Sequence, residues 1–151
     1  MLIENSDEPY ATEIARAVMH AIRKGNGVNT TTDLREIIEK TLQFLPAAER
    51  KEGIKKSCQR TFQALRIDVN SEFEVLNSFL EALPDVLASG GRIAILTFHS
   101  GEDRLVKRAF KQYKREGIFS EIAEDVIRPS AQECVANGRA KCTKMRWAVR
   151  A

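Results

Sequence analysis

Apolar residues recur at helical spacing through the first part of the chain. The pattern predicts three helices in the first 55 residues, over residues 10–23, 32–42 and 47–53. It predicts no strand there. Gly25 and Gly27 end the first helix. Thr32 and Asp33 are expected to cap the second helix, and Pro46 starts the third, which is short. The chain therefore begins with a purely helical segment.

A second helical pattern starts at Gln59 and continues to about Ala88. Asn70 and Ser71 interrupt it with polar residues that favour turns, so a bend is expected there. The pattern ends at a Ser-Gly-Gly turn, which is typical of a helix terminus. The middle of the chain is therefore expected to be helical up to the first strand.

A short apolar run, Ile93 to Leu96, follows that turn. An apolar run bounded by turn residues predicts a strand over residues 92–98 that is buried on both faces of a parallel sheet. The remaining elements are a helix over residues 102–114, strands over 119–127 and 143–149, and a short helix over 131–136. The last two strands are expected to pair as an antiparallel hairpin that carries the short helix.

A polar cluster follows the apolar run directly. It contains Phe98, His99, Ser100, Glu102, Asp103 and Arg104. In open α/β sheets, ligands bind outside the carboxyl ends of the strands. The cluster therefore occupies the place where a functional site is expected.

Composition limits the classes of protein. With 151 residues, 43% of them hydrophobic, the chain suffices for one domain or for one lobe with an appendage. No apolar run approaches the roughly 20 residues that cross a bilayer, and the acidic start is unlike a signal peptide. A cytoplasmic protein without a membrane partner is predicted, with import of a longer precursor into an organelle left open. Cys58, Cys134 and Cys142 match no disulfide or metal motif, so free thiols and no metal are expected.

The distribution of charge says more than its sum, because 24 basic and 21 acidic residues leave a net charge of only +3. Two basic clusters stand out: Arg104, Lys107, Arg108, Lys111, Lys114 and Arg115, and then Arg139, Lys141, Lys144, Arg146 and Arg150. Such clusters can neutralise nucleic-acid phosphates. For the first cluster, a solvated helix face is an equal alternative.

Three separated segments resemble one enzyme family. They are RTFQALRIDVNSEFEVL (residues 60–76), SGGRIAILTFHSGEDRLVKRAF (89–110) and RPSAQECVANGRAKCTKMRWAVRA (128–151). The opening SDEPYATEIARAV (6–18) is similar as well. Together they resemble the C-terminal half of the MraW/RsmH family, whose members methylate the exocyclic N4 of a cytidine in small-subunit ribosomal RNA with S-adenosylmethionine.

The resemblance implies an α/β fold: the C-terminal portion of a Rossmann-like S-adenosylmethionine-dependent methyltransferase core, with a helical insertion domain. Residues 1–55 would form the insertion domain and residues 56–151 the core portion. The glycine-rich cofactor loop of the family precedes this region, so no cofactor-binding residue is assigned. Gly25 to Gly27 is not a substitute, because no strand leads into it.

The implied reaction assigns roles to the polar cluster. The cytosine amine is a weak nucleophile, since its lone pair is delocalised, and it needs an acceptor for hydrogen bonding or for its proton. The catalytic candidates for that acceptor are His99 and Asp103. The candidates for holding RNA are Phe98, which would stack on a flipped base, with Ser100, Arg66, Arg104 and Lys107.

Structural roles compete with each of these assignments. His99 at a strand end could equally hydrogen-bond only the backbone, and Ser100 with Asp103 at N3 would make a helix cap. Arg66 has Asp68 and Glu72 as ion-pair partners within reach along the chain. The stripe Phe62, Phe73 and Phe79 is expected to be core. Gly101, where the family usually has Leu, is expected to loosen the helix start beside His99.

Two functions are therefore weighed. The first is methylation of cytosine N4 in small-subunit ribosomal RNA, with the chain supplying the substrate side and being inactive alone. Its expected partners are the RNA, S-adenosylmethionine at the family level, and a complementary N-terminal half or a second copy as homodimer partner. The alternative is a non-catalytic RNA-binding or assembly module derived from that family.

Overall fold

The computed structural model describes residues 1–151 and divides them into two compact units, Met1–Asn70 and Ser71–Ala151. The boundary expected after residue 55 lies inside a continuous helix, Ala47–Val69. A helix packs as one rigid element, so the compact units divide at its end instead. The assignment of residues 1–55 to an insertion domain stays a prediction.

The first unit is entirely helical, as predicted. Its elements are α1 (Leu2–Ser6), α2 (Ala11–Arg23), α3 (Thr31–Thr41), a 3-10 turn (Leu42–Phe44) and α4 (Ala47–Val69). Gly25 follows α2 with φ +80°, a conformation that favours glycine. The cap of α3 is Thr30, whose side chain accepts from the Asp33 backbone N–H, and not Thr32. Asp33 closes the capping box from the N3 position.

Helix α4 merges two elements that the sequence separated. Residues 47–53 were expected to form a short helix of their own, whereas the structure continues it to Val69. Gly53 is a weak helix former at the junction, and an isolated glycine is tolerated inside a helix. Ile38 and Leu42 of the preceding segment are fully buried in the apolar cluster of this unit, with Ile14 of α2 beside them.

The second unit combines two long helices with a small sheet. Its elements are α5 (Glu72–Val86), β1 (Arg92–Thr97), α6 (Ser100–Arg115), β2 (Phe119–Ile122), α7 (Ala131–Ala136), a 3-10 turn (Gly138–Cys142) and β3 (Lys144–Arg150). The bend expected at Asn70 and Ser71 is confirmed as a break, since Ser71 adopts a left-handed φ of 49°. α7 and its Ser130 cap also match the prediction.

The sheet has the order β1-β3-β2, and both pairings are antiparallel. The hairpin of β2 and β3 with α7 inserted is therefore confirmed. The expectation that β1 lies buried on both faces of a parallel sheet is wrong. Arg92, Ala94 and Leu96 are exposed, while Ile93 and Ile95 pack inward. An apolar run alone does not reveal whether one face or both are covered. The α/β class stands, and the Rossmann-like assignment stays a prediction.

The core of the second unit lies between the sheet and two helices. Leu80 and Leu83 of α5 and Val106 and Phe110 of α6 are buried there against Ala148 of β3. The expectation that Phe79 belongs to the core is wrong, because 47% of its surface is exposed. The structure contains no helix with the length and apolarity that crossing a membrane requires.

Candidate functional site

The junction between β1 and α6 carries the polar cluster. β1 ends at Thr97, Phe98 follows with 54% of its surface exposed, and α6 begins at Ser100. The helix cap is His99 and not Ser100. The capping box is correspondingly formed with Glu102 and not with Asp103. The strand end and the helix start thus fix the backbone of the cluster on both sides.

His99 and Glu102 are joined through several atoms. Nδ1 of His99 accepts from the Glu102 backbone N–H at 3.4 Å, and Oε1 of Glu102 lies 3.5 Å from Nε2 of the ring. Oε2 of Glu102 accepts from the Phe98 backbone N–H at 2.9 Å. Because Nδ1 acts as an acceptor, we assign the proton of the neutral ring to Nε2, which faces the carboxylate. The Phe73 ring packs beside the imidazole at 5.8 Å between centroids.

A further carboxylate approaches the same imidazole. Glu72 at the start of α5, His99 and Glu102 each offer a ligand atom, and these atoms lie within 4.8 Å of one another. Carboxylate and imidazole are donor types that bind divalent metals. Metal binding through Nε2 would require that nitrogen to lose its proton while Nδ1 still accepts from the backbone. The geometry therefore fits an imidazole flanked by carboxylates better than a metal centre.

Asp103 is committed to an ion pair. Its Oδ1 accepts from Nε of Arg146 at 2.7 Å, and its Oδ2 accepts from Nη2 of Arg146 at 3.2 Å. Nζ of Lys144 lies 3.6 Å from Oδ2. Burial acts to raise the pKa of Asp103, but the hydrogen bonds and charge of Arg146, with the charge of Lys144, outweigh it and hold the pKa below its ordinary value. This carboxylate is therefore a weak base.

The exposed face of α6 is strongly basic. It presents Arg104, Lys107, Arg108, Lys111, Lys114 and Arg115, with no acidic residue between the first and the last. Lys114 donates to the backbone carbonyl of Ser120. Eleven helical steps span about 17 Å, which is enough to follow several phosphates of one strand. We call these six residues the basic face of α6.

The structure brings most of the candidate residues together. Phe98, His99, Ser100, Asp103, Arg104 and Lys107 all lie at the end of β1 or in the first turns of α6. Arg66 lies in the last turn of α4, in the first unit. Sequence reasoning missed Glu72 and Phe73, because only the fold brings the start of α5 beside His99. Arg146 was recognised only as a basic residue, because nothing in the sequence indicates that it pairs with Asp103.

The glycine pair of the first unit does not fit a cofactor loop. Phosphate- and cofactor-binding glycine loops connect a strand to a helix. Gly25 instead follows α2 and serves as its terminus, and the next element is another helix, α3. The two segments that do connect a strand to a helix, residues 98–99 and 123–130, contain no glycine. That the chain contributes no cofactor-binding residue stays a prediction.

Fold and site together define an α/β protein with a polar cluster at the end of a strand and a basic helix beside it. The chain belongs to the MraW methylase family, whose model matches residues 1–151. It is 66% identical over 151 residues to the ribosomal RNA small subunit methyltransferase H 1 of Lachnoclostridium phytofermentans. It is 67% identical over the same length to the protein of that name from Agathobacter rectalis.

The match covers the whole of this chain but less than half of these relatives. The chain spans 41% of the Lachnoclostridium phytofermentans protein and 43% of the Agathobacter rectalis protein. The ribosomal RNA small subunit methyltransferase H 2 of Alkaliphilus metalliredigens is 59% identical to this chain over 151 residues. These residues are 43% of its length. The family resemblance found in the sequence is confirmed, and the placement of the chain in the C-terminal half stays a prediction.

Proposed function

We propose that this chain supplies the substrate side of an S-adenosylmethionine-dependent methylase that acts on cytosine N4 in small-subunit ribosomal RNA. The observation that carries the proposal is the polar cluster at the end of β1, which adjoins the basic face of α6. The names of the relatives, ribosomal RNA small subunit methyltransferases, supply the substrate class. A polar cluster beside an exposed basic helix suits an RNA nucleotide, whose phosphates the helix can neutralise.

Of the two candidate proton acceptors, the geometry favours His99. Asp103 already accepts two hydrogen bonds from Arg146, and its lowered pKa makes it a poor base. The imidazole of His99 instead faces Oε1 of Glu102 at 3.5 Å. The ring takes the amine proton on Nδ1 and gives up the long hydrogen bond of 3.4 Å from the Glu102 backbone N–H, while the Nε2–H stays against the Glu102 carboxylate, which stabilises the imidazolium. Asp103 then acts as a positioning residue that fixes Arg146.

The exposed ring of Phe98 provides the stacking surface for the base. A base must leave its stack before an enzyme can reach its exocyclic amine, and an aromatic ring compensates part of the lost stacking. Arg104 and Lys107, one turn into α6, hold the neighbouring phosphates. Ser100 at the helix start binds the same RNA, and Arg66 is a separate RNA contact in the first unit.

The methyl group comes from S-adenosylmethionine, which this chain does not bind tightly by itself. Its residues form no glycine-rich loop between a strand and a helix, so the cofactor contacts belong to the part of the relatives that this chain does not match. The residues of this chain bind the RNA, orient the amine and receive its proton. The chain alone is therefore inactive.

The test is transfer of labelled methyl groups to small-subunit ribosomal RNA by this chain mixed with the unmatched part of the Agathobacter rectalis protein. His99→Asn keeps a good helix cap but removes the titratable ring, and it is expected to lower kcat by about 100-fold. Asp103→Asn is expected to lower stability more than kcat. Full activity of His99→Asn would contradict the assignment of the acceptor.

The basic face of α6 also favours a second function, a non-catalytic RNA-binding or assembly module. Six exposed cations on one helix suffice for binding an RNA backbone without any chemistry. RNA binding with a steep salt dependence, together with no methyl transfer even after the unmatched part of a relative is added, would support this alternative over the methylase.

A further inference from the structure

A small cavity lies between the second half of α6 and strand β2. Its volume is about 400 Å³. One side chain of β2, Ile122, forms part of its wall, and the other lining residues all belong to α6. Those residues are all cations: Arg108, Lys111, Lys114 and Arg115. The cavity therefore combines four positive charges with one apolar side chain. We call it the α6–β2 cavity.

Most of these cations are available to a ligand. Arg108, Lys111 and Arg115 are exposed, and no ion pair within the structure engages them. Lys114 instead donates to the backbone carbonyl of Ser120 and so ties the end of α6 to β2. Beyond Lys114 lies a second cavity, whose lining includes Glu121, Glu124 and Asp125. An anion is therefore attracted to the α6 side of Lys114 and repelled from the other side.

The size and lining of the α6–β2 cavity favour a phosphate over a base. Cavities that hold small ligands have volumes of about 300–1,000 Å³, so this one holds one nucleotide unit at most. No aromatic side chain lines it, so it lacks a ring on which an unpaired base would stack. Arginine and lysine both bind phosphate, and arginine can bind two of its oxygens at once. The expected ligand is a nucleotide phosphate with its ribose against Ile122.

An anionic lipid surface fits the same charges less well. A helix that lies on a membrane combines its cations with an apolar side that enters the lipid. The apolar side of α6 is instead buried in the core of the second unit, where Val106 and Phe110 lie. α6 has no large apolar residue among its exposed ones. RNA is therefore the ligand that the observations favour.

We propose that the α6–β2 cavity is a remote phosphate-anchoring subsite that fixes the register of the RNA. Lys111 lies eleven residues beyond Ser100, so about 17 Å of helix separates the cavity from the polar cluster. A stacked strand advances about 3.4 Å per nucleotide, so about five nucleotides cover that distance. A phosphate held in the cavity carries no sequence information, but it places the target base beside His99. The choice of RNA as the ligand rests on the proposed function.

The test is nucleotide binding by the full chain, with two matched double variants. Arg108→Gln with Arg115→Gln, the cavity variant, removes two cations of the cavity. Lys51→Gln with Lys55→Gln, the control, removes two exposed cations of α4. Glutamine is a good helix former, so both variants are expected to fold. Amide NMR spectra locate the binding of uridine 5′-monophosphate, and fluorescence anisotropy measures the affinity for a labelled octanucleotide of small-subunit ribosomal RNA.

Uridine 5′-monophosphate is expected to shift the amide signals of residues 108–122 in the wild-type chain, whereas uridine without a phosphate is not. The cavity variant should lose these shifts, bind the octanucleotide about tenfold more weakly and show a salt slope lower by about 1–2. The control should lose less on each count.

Four results would each overturn the proposal. They are equal weakening by the two double variants, shifts that fall outside residues 108–122, shifts that persist in the cavity variant, and binding to phosphatidylserine vesicles in preference to the octanucleotide.

Anchoring and chemistry fail separately in the methyl-transfer assay with the unmatched part of the Agathobacter rectalis protein. The cavity variant is expected to raise KM for the RNA and to leave kcat unchanged. Phosphate-dependent shifts at the cavity without any methyl transfer would contradict the proposed function and leave the subsite standing. Methyl transfer with an unchanged KM for the cavity variant would contradict the subsite and leave the proposed function standing.

Discussion

Gly101 lies in the first turn of α6, where its missing side chain makes room for a ring. A Cβ at this position would lie 2.6 Å from Cζ of Phe73 and 3.1 Å from Nδ1 of His99. Phe73 in turn packs beside the His99 imidazole. The residue that the sequence marks as loosening the helix start is therefore also the residue that lets Phe73 approach the site.

The first prediction follows from the approach of Phe73 to Gly101. Alanine is favoured over glycine in a helix by up to about 1 kcal/mol. Gly101→Ala is nevertheless expected to give no gain in the free energy of unfolding, because the new methyl group displaces Phe73. In the double variant Gly101→Ala, Phe73→Leu, the smaller leucine leaves room for the new methyl group. Its free energy of unfolding should therefore be higher than the sum of the two single effects predicts. Urea denaturation of wild type, the two single variants and the double variant measures this difference. A higher free energy of unfolding for Gly101→Ala alone would contradict the close packing of Phe73.

The second prediction concerns the Asp103–Arg146 ion pair. Asp103→Asn is expected to lower the free energy of unfolding at pH 7 by about 1.5–3 kcal/mol, the usual range for hydrogen bonds to a charged group. The pKa of Asp103 is lowered in the folded state, so its stabilisation is fully present above the unfolded pKa of about 3.9. It is lost as the pH falls through the folded pKa.

The pH dependence provides the check on this pair. Denaturation midpoints of wild type and Asp103→Asn should differ clearly from pH 5 to pH 7 and converge as the solution is acidified below about pH 4. Glu124→Asn on the exposed loop after β2 is the control, and it should follow wild type throughout. A difference that stayed constant down to low pH would show that the carboxylate charge contributes nothing.

The third prediction concerns the thiols. Cys58 is half-buried, and burial, followed by the negative charge of Glu39, raises its pKa. A raised pKa leaves less thiolate, which is the nucleophile in alkylation. Cys142 is exposed. Mass spectrometry after brief treatment with iodoacetamide at pH 8 should find Cys142 modified well before Cys58, and the reverse order would contradict the placement of Cys58.

Among the helices and strands, the predictions from sequence succeeded where local signals were strong. α7 was placed correctly because Pro129 and Ser130 mark its start and Ser130 caps it through the Glu133 backbone N–H. β3 was found within one residue. α4 was divided wrongly, because a local turn signal near Gly53 was outweighed by continuous packing of the helix in its unit.

The helix α6 carries the fourth prediction. Lys107→Glu with Lys111→Glu is expected to lower the affinity of the chain for a small-subunit ribosomal RNA fragment. The salt slope of binding should fall by about 1 for each phosphate that is no longer neutralised. Lys51→Glu with Lys55→Glu on the exposed surface of α4 is the control, because it makes the same change in net charge, and it should change both quantities less. Fluorescence anisotropy over a range of salt concentrations measures both quantities.

Two outcomes of that titration are informative. Equal effects of the double substitution on α6 and the double substitution on α4 would show that binding follows net charge alone and would contradict a localised RNA surface. An unchanged salt slope after the double substitution would show that the basic face of α6 is a solvated surface, the alternative that the sequence left open.

For the molecule as a whole, sequence reasoning located the functional cluster but not its internal pairing. The run from Phe98 to Arg104 was recognised because it follows an apolar strand directly. The partners of that run, Glu72, Phe73 and Arg146, come from elements distant in sequence, and only the fold brings them together. The exposed face of β1 was missed for a related reason, since an apolar run reads the same whether one face or two are covered.

The chain as a whole is consistent with the proposed role as one part of a methylase. Its own residues provide a basic helix and, at the end of β1, a polar cluster. They provide no glycine loop for a cofactor. This chain spans 41% and 43% of the length of two of its relatives, which contain additional chain.

The most direct test is calorimetric titration of S-adenosylmethionine into the purified chain, with and without the unmatched part of the Agathobacter rectalis protein. We expect weak or no binding to the chain alone and clear binding to the mixture. Tight binding of S-adenosylmethionine to this chain by itself would contradict the division of the methylase into a cofactor part and a substrate part.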